Sequence, residues 1–292
     1  MSAFDAWIGR EESAHDKLDT SLASRWLAAF HLDDLSRQHT SAEMPQGIHF
    51  ALCTPQAATS ALGEDGHPAR VDSPDSFLPP VPLPRRMWAS SKIAFHAPIA
   101  AGAAIKRISR VASIKEKSGA SGTLVFVEVA HATHANDTLA LEETQTLVYR
   151  AAAPADSPLS PPSLGDGAFD PSEWPSEWDA HRAITPDTRL LFRYSALTYN
   201  THRIHYDAPY ARDVERYRGL VVHGPLTASL LLQLAASEYG DNALKSFAFR
   251  GVSPAIADEP LHLVMRKSED GSLELAAFAN DGRQVTKANA TL

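Results

Sequence analysis

The chain has 292 residues, 44% of them hydrophobic and 21% charged, which suits a globular protein of one large domain or two smaller ones. Its formal net charge of -8 argues against a nucleic-acid binder, because neutralising phosphates takes a concentrated basic face. No apolar run reaches the roughly 20 residues of a membrane helix, and the single cysteine, Cys53, permits no internal disulfide, so a reducing, cytoplasmic setting is expected.

The polar, acidic residues 1–19 are unlike a signal or transit peptide. Residues 19–31 predict a helix with Asp19 or Thr20 as N-cap and Leu22, Trp26, Ala29 and Phe30 on one face. An apolar segment, 48–53, follows Gly47; Cys53 has no base beside it and is expected to be a plain buried thiol. Residues 54–84 are too rich in Pro, Gly and Asp for a regular element, and a loop of that length is expected to be functional or mobile.

From residue 92 the texture changes to strands, at 93–96, 104–115, 123–133 and 139–149, with turns at 101–102, 117–119 and 136–137. This is an antiparallel sheet accompanied by one or two helices. His131 and His134 lie on opposite faces of such a strand and make no metal site. Residues 151–175, rich in Pro, Ser and Ala, read as a linker that sets a domain boundary, with Trp174 and Trp178 packing its far end onto a surface.

The second half repeats the layout: a strand at 188–194, an apolar helix at 226–239, and strands at 246–252, 261–267, 273–278 and 284–292. IAFHAP at 93–98 is answered by FAFRGVSP at 247–254, which suggests duplication of one α+β unit. Two such sheets side by side can pair their edge strands and leave no exposed edge between them. The helix at 226–239 is apolar on nearly every side, so it belongs inside a wrapping sheet.

Chemistry concentrates between residues 192 and 228. Asn200 and His205 stand five apart, and Gly224-Pro225 open the apolar helix. An imidazole moves protons near neutral pH, and free N–H groups at a helix start hold negative charge on a carbonyl oxygen. Among 13 histidines, spacing alone does not single out His205, and Pro225 also serves as ordinary helix-start punctuation. The chain has no glycine-rich phosphate loop, zinc motif or nucleophilic serine elbow.

Residues 198–205, Thr-Tyr-Asn-Thr-His-Arg-Ile-His, followed by Tyr206-Asp207 and later by His223-Gly224-Pro225, resemble a family signature. The family is that of MaoC-like, R-specific enoyl-thioester hydratases, which carry Ser/Thr-Gly-Asp-x-Asn-Pro-Leu-His and then a His-Gly turn. LPRRMWA at 83–89 resembles the degenerate N-terminal domain of its two-domain members. The resemblance implies an α+β double hot-dog fold, two antiparallel sheets each wrapped around a central helix. Its parts would be an N-terminal domain at 1–150, a linker at 151–180 and a C-terminal domain at 181–292 carrying the motif.

By position, His205 takes the family's catalytic histidine, Asn200 the place of its aspartate, and Gly224 the backbone N–H aimed at the thioester oxygen. Asn200 cannot accept a proton as a carboxylate does, so the acid–base burden falls on His205. The implied activity is that of a hydro-lyase adding water to, or removing it from, an α,β-unsaturated acyl-CoA. A short branched dicarboxylic acyl group is favoured, as in mesaconyl-, methylfumaryl- or itaconyl-CoA. Arg203 is the candidate for the free carboxylate, with His202 and His223 beside it, and Arg85 and Arg86 for coenzyme A phosphates.

No cofactor is expected, coenzyme A being part of the substrate, and neither a metal, nucleic acid nor membrane partner. A homodimer is left open. The alternatives are a hot-dog acyl-CoA thioesterase, which would release free thiol, and a non-catalytic acyl-thioester binding module, which would bind without turnover.

Overall fold

A computed structural model of the chain describes residues 4–30, 43–70, 73–119, 122–162 and 177–292. The first half contains β1 (Glu11–Lys17), α1 (Thr20–Phe30), β2 (Glu43–Met44), β3 (Arg85–Phe95), β4 (Ile99–Ala100), β5 (Ala104–Gly119), β6 (Gly122–Ala135) and β7 (Thr138–Arg150). The second contains β8 (Ala180–Ile184), α2 (Thr188–Thr198), α3 (Ala208–Asp213), α4 (Gly224–Tyr239), β9 (Ser246–Gly251), β10 (Leu261–Lys267), β11 (Leu273–Ala279) and β12 (Gln284–Thr291).

Ten of these strands form one antiparallel sheet in the order β1-β5-β6-β7-β3-β9-β12-β11-β10-β8. Outward from the central pair, β3-β7-β6-β5-β1 on one side matches β9-β12-β11-β10-β8 on the other, strand for strand in chain order. The duplication extends to hydrogen bonds. The amides of His96 and Ala97 share the carbonyl of Ala140 at 2.8 and 3.1 Å, as those of Val252 and Ser253 share that of Val285 at 2.8 and 3.3 Å. The expected edge pairing joins the halves, with Ser90 opposite Arg250 and Ala94 opposite Ser246. Over Ser90–Ala94 the edge of β3 is thereby paired with β9.

Helix α4 is apolar all round and packs against β8, β10, β11 and β12, with nine of its residues buried between Leu226 and Ala235. The predicted helix at 19–31 is α1, which buries Ala23, Trp26, Ala29 and Phe30, with Leu22 at the margin; His31 lies outside the described residues. The apolar segment after Gly47 is a buried 3-10 turn, Ile48–Ala51. A Cβ at Gly47, whose φ is 105°, would fall 3.3 Å from Leu232 and 3.7 Å from Ser229 of α4, so this turn of the first half lies close against the helix of the second. Cys53 is buried, and burial pushes its thiol up. Trp178 packs edge-on to Phe278, with Arg266 over its ring; Trp174 and residues 163–176 lie outside the described residues.

One expected element is wrong. The strand at 188–194 is helix α2, capped by Asp187, whose Oδ1 accepts from the Leu190 amide at 2.9 Å. Leu190, Leu191 and Tyr194 are buried at a helical spacing. The overlooked signal was the acidic cap, which supplies an orphan donor with a partner and favours the helix.

Candidate active site

Three short segments bring the candidate residues together. Helix α2 ends at Tyr199 in the left-handed region (φ 49°), and the Asn200 amide returns to the Ser195 carbonyl at 2.9 Å. The Asn200 side chain then accepts from the His202 amide at 2.9 Å, which turns the chain into a 3-10 turn, Arg203–His205. The third segment, 221–223, leads into α4. Two bonds fasten it to the turn: the Val221 amide donates to the Ile204 carbonyl at 2.9 Å, and His205 Nδ1 donates to the Val221 carbonyl at 2.7 Å.

That second bond fixes a tautomer. A carbonyl only accepts, so the proton sits on Nδ1 and Nε2 carries the free lone pair. His205 is buried, and burial, followed by the neighbouring His202, lowers its pKa to about 3, while the Val221 bond opposes this. The ring is therefore a neutral base at physiological pH. Three residues beyond Val221, Gly224 begins α4 with no side-chain cap on its first turn, Pro225 behind it has no N–H of its own, and a Cβ built at Gly224 would meet nothing within 4 Å. An accessible helix start beside a neutral imidazole base can polarise a carbonyl while a proton is moved.

His205 belongs to a row of four imidazoles. Ring centroids are 3.6 Å from His205 to His223, 5.4 Å to His202, and 4.1 Å from His202 on to His67. His223 is wholly buried beneath His205, with Nε2 2.9 Å from the Ser195 hydroxyl, and Tyr194 packs 5.0 Å away. Burial lowers the pKa of His223, and that of His202 to about 3. His67 comes from the other half, on the long loop at 54–84. The Thr201 hydroxyl donates to the Gly66 carbonyl, the Arg203 amide to that of Asp65 at 2.9 Å, and the Arg203 guanidinium to that of Glu64 at 3.1 Å. Asp65 accepts from His67 Nδ1 at 3.0 Å.

Several expected ligand contacts need correction. Arg203 is not presented to an acyl carboxylate: its fork closes on Asp207 at 2.8 and 3.0 Å and its guanidinium lies over Tyr210. Arg85 is not available to coenzyme A phosphates, being buried in a 2.7 Å ion pair with Glu215 and bonded to the Val214 and Glu215 carbonyls. His223 stands behind His205 and contacts no open surface, which makes it a support for the imidazole rather than a ligand contact. Arg86, by contrast, is partly exposed and acts on Tyr149 and His202.

Asp65, His67, Tyr194 and Ser195 are site neighbours that sequence reasoning missed. The one signal for the first two was the length of their loop, because they lie more than 130 positions from Asn200 in a stretch without periodicity. Asp65, His67 and His202 also place potential ligand atoms within 4.8 Å of one another, although the Asp65–His67 hydrogen bond already accounts for the closest contact.

Comparison with known proteins places the whole chain among described relatives. Residues 47–257 match the family described as Hydroxyacyl-thioester dehydratase type 2. The chain is 40% identical to the Mesaconyl-C(4)-CoA hydratase of Chloroflexus aurantiacus, over 100% of this chain and 99% of that protein. A solved MaoC-like dehydratase superposes with a TM-score of 0.71 at 14% identity, covering 99% and 98% of the two chains. A conserved protein of Mycobacterium tuberculosis described as having a double hot-dog fold does so with a TM-score of 0.61 at 14% identity, covering 97% and 95%. The fold is accordingly the double hot dog, here with its two sheets fused edge to edge.

Proposed function

The chain belongs to the hydroxyacyl-thioester dehydratase type 2 family and is an acyl-CoA hydratase, and from that premise we propose a short, branched dicarboxylic enoyl-CoA of the mesaconyl type as its substrate. The full-length 40% identity to a mesaconyl-C(4)-CoA hydratase supports this acyl group. The observation that carries the chemical assignment is the neutral imidazole of His205, locked at Nδ1 and set beside the start of α4.

In the proposed hydration, His205 Nε2 takes a proton from water as the water oxygen bonds to the β-carbon. The π electrons move onto the thioester oxygen, where the Gly224 amide at the start of α4 holds the enolate. The enolate collapses as His205 Nε2 returns that proton to the α-carbon, so one water is added across the double bond and the imidazole is neutral again. Oxyanion donors of this kind contribute ~10²–10³ in rate each, and a positioned acid–base group about 10²–10⁴. Asn200 holds the loop through the His202 amide and keeps its own NH₂ free to orient water.

The test is loss of absorbance at the conjugated enoyl-thioester band, with a panel of mono- and dicarboxylic enoyl-CoA esters. We expect turnover by the wild type, preference for the branched dicarboxylic ester, and a fall of about 10²–10⁴ in kcat for His205→Ala. Release of free thiol would instead identify a thioesterase. An unchanged rate in His205→Ala would refute the assignment of the base.

A further inference from the structure

Taking a proton from water converts His205 into a cation where cations are disfavoured. The ring is buried, and its ring neighbours are two further buried imidazoles, His202 and His223. A carboxylate at position 200, as in the family signature, would balance that charge. Asn200 carries none, and its oxygen is already committed to the His202 amide.

A carboxylate does reach the row, from the other half of the chain. Asp65 is held 3.0 Å from His67 Nδ1, His67 lies 4.1 Å from His202 between ring centroids, and Asp65 acts electrostatically on His202. The placement is built in. Asp65 Oδ1 caps the His67 amide at 3.0 Å, and Gly66 sits so close to the 200–203 segment that a Cβ would fall 1.9 Å from the Thr201 carbonyl. Resting on the hydratase reading above, we propose that Asp65, held with His67, is the counter-charge of the imidazole row, acting on His202 and through it offsetting the imidazolium formed at His205, the role that Asn200 leaves. Asp65 and His67 are thus positioning residues, acting through His202 and not on the substrate. Asp65 also acts on Arg70, Tyr210 and Glu215, and Arg86 acts on His202; all are retained in the variants below.

The experiment measures kcat, KM and the pH profile of enoyl-CoA hydration for the full-length wild type, Asp65→Asn, Asn200→Asp, the double variant and His67→Asn. Loss of the counter-charge lowers kcat of Asp65→Asn by about 10²-fold, leaves KM within roughly threefold, and moves the acid limb of kcat to lower pH, since the imidazolium is then less favoured. Asn200→Asp in the Asp65→Asn background restores about tenfold or more by returning a carboxylate to the row. His67→Asn, which still offers an N–H to Asp65, costs less than Asp65→Asn. An Asp65→Asn enzyme with unchanged kcat, or with its whole loss in KM, overturns the proposal. So does a double variant that recovers nothing.

Should Asp65→Asn fail to fold, Asn200→Asp alone decides: a second carboxylate raises the acid limb, and a limb that stays put refutes the coupling. A wild type inactive on every enoyl-CoA would instead sink the hydratase reading itself.

Discussion

Burial does different things to an acid and to a base, and two side chains of this protein show both. His205, with Nδ1 engaged, is kept neutral and ready to accept a proton. Glu143, on the inner face of the first half, holds its proton up toward neutral pH: burial raises its pKa to about 7, against the opposing Ser91 hydrogen bond. His49 lies 4.0 Å away with its pKa lowered to about 3, so between those values the two meet as neutral groups, not as an ion pair. Because the folded-state pKa of Glu143 lies above its unfolded value, its contribution is present at low pH and lost as pH rises toward 7 and beyond. Glu143→Gln should therefore raise Tm relative to wild type at pH 8 and change it little at pH 4.5. Equal shifts at both pH values would contradict this account.

At the scale of elements, the loop at 54–84 and helix α4 decide how the site is assembled. The loop reaches the 200–203 segment through backbone carbonyls, and Gly66 is indispensable there for two reasons. Its φ of +86° lies in the left-handed region, and the Thr201 carbonyl leaves no room for a Cβ. Gly66→Ala is expected to detach the loop and, through Asp65, to lower kcat while the melting transition stays cooperative. Measuring both on one preparation separates this from global unfolding. In α4, Leu231 is fully buried, and Leu231→Ala should cost about 2–5 kcal/mol by denaturant titration. A loss below roughly 1 kcal/mol would mean that the helix is not the packed centre of its half.

For the whole molecule, duplication explains the symmetric strand order, and asymmetry within the copies explains the single candidate site. Where the second half has α4, the described residues of the first half show a buried 3-10 turn, Ile48–Ala51, close against α4 at Gly47. The expected linker at 151–180 starts directly after β7 and runs onto Ala180, the first residue of β8. Among the described residues no helix is long and apolar enough to cross a membrane. The buried imidazoles carry a global consequence. Burial lowers the pKa of His49, His202 and His205 to about 3 and of His131 to about 4, and that of His223 as well. Depressed histidines stabilise the fold above their unfolded pKa, near 6.5, and lose that contribution as pH falls toward the folded values, by up to ~1.4 kcal/mol per pH unit for each. Tm should therefore fall from pH 7.5 to pH 5; a flat profile across that interval would refute it.

The residues alone determined the repeat, most of the strands, the buried helix and the Asn200/His205/Gly224 pattern, because periodicity and a local signature are properties of neighbours in sequence. The boundaries of β9 to β12 were legible nearly to the residue, whereas β8 was not read as a strand and α2 was misread because an apolar run was weighed above the Asp187 cap. Tertiary structure alone decided which arginines are free, that His223 backs His205, and that Asp65 and His67 cross from one half to the other. Those outcomes depend on contacts between segments far apart in the chain, where charge and burial are settled by whichever partner the fold brings within a few ångströms.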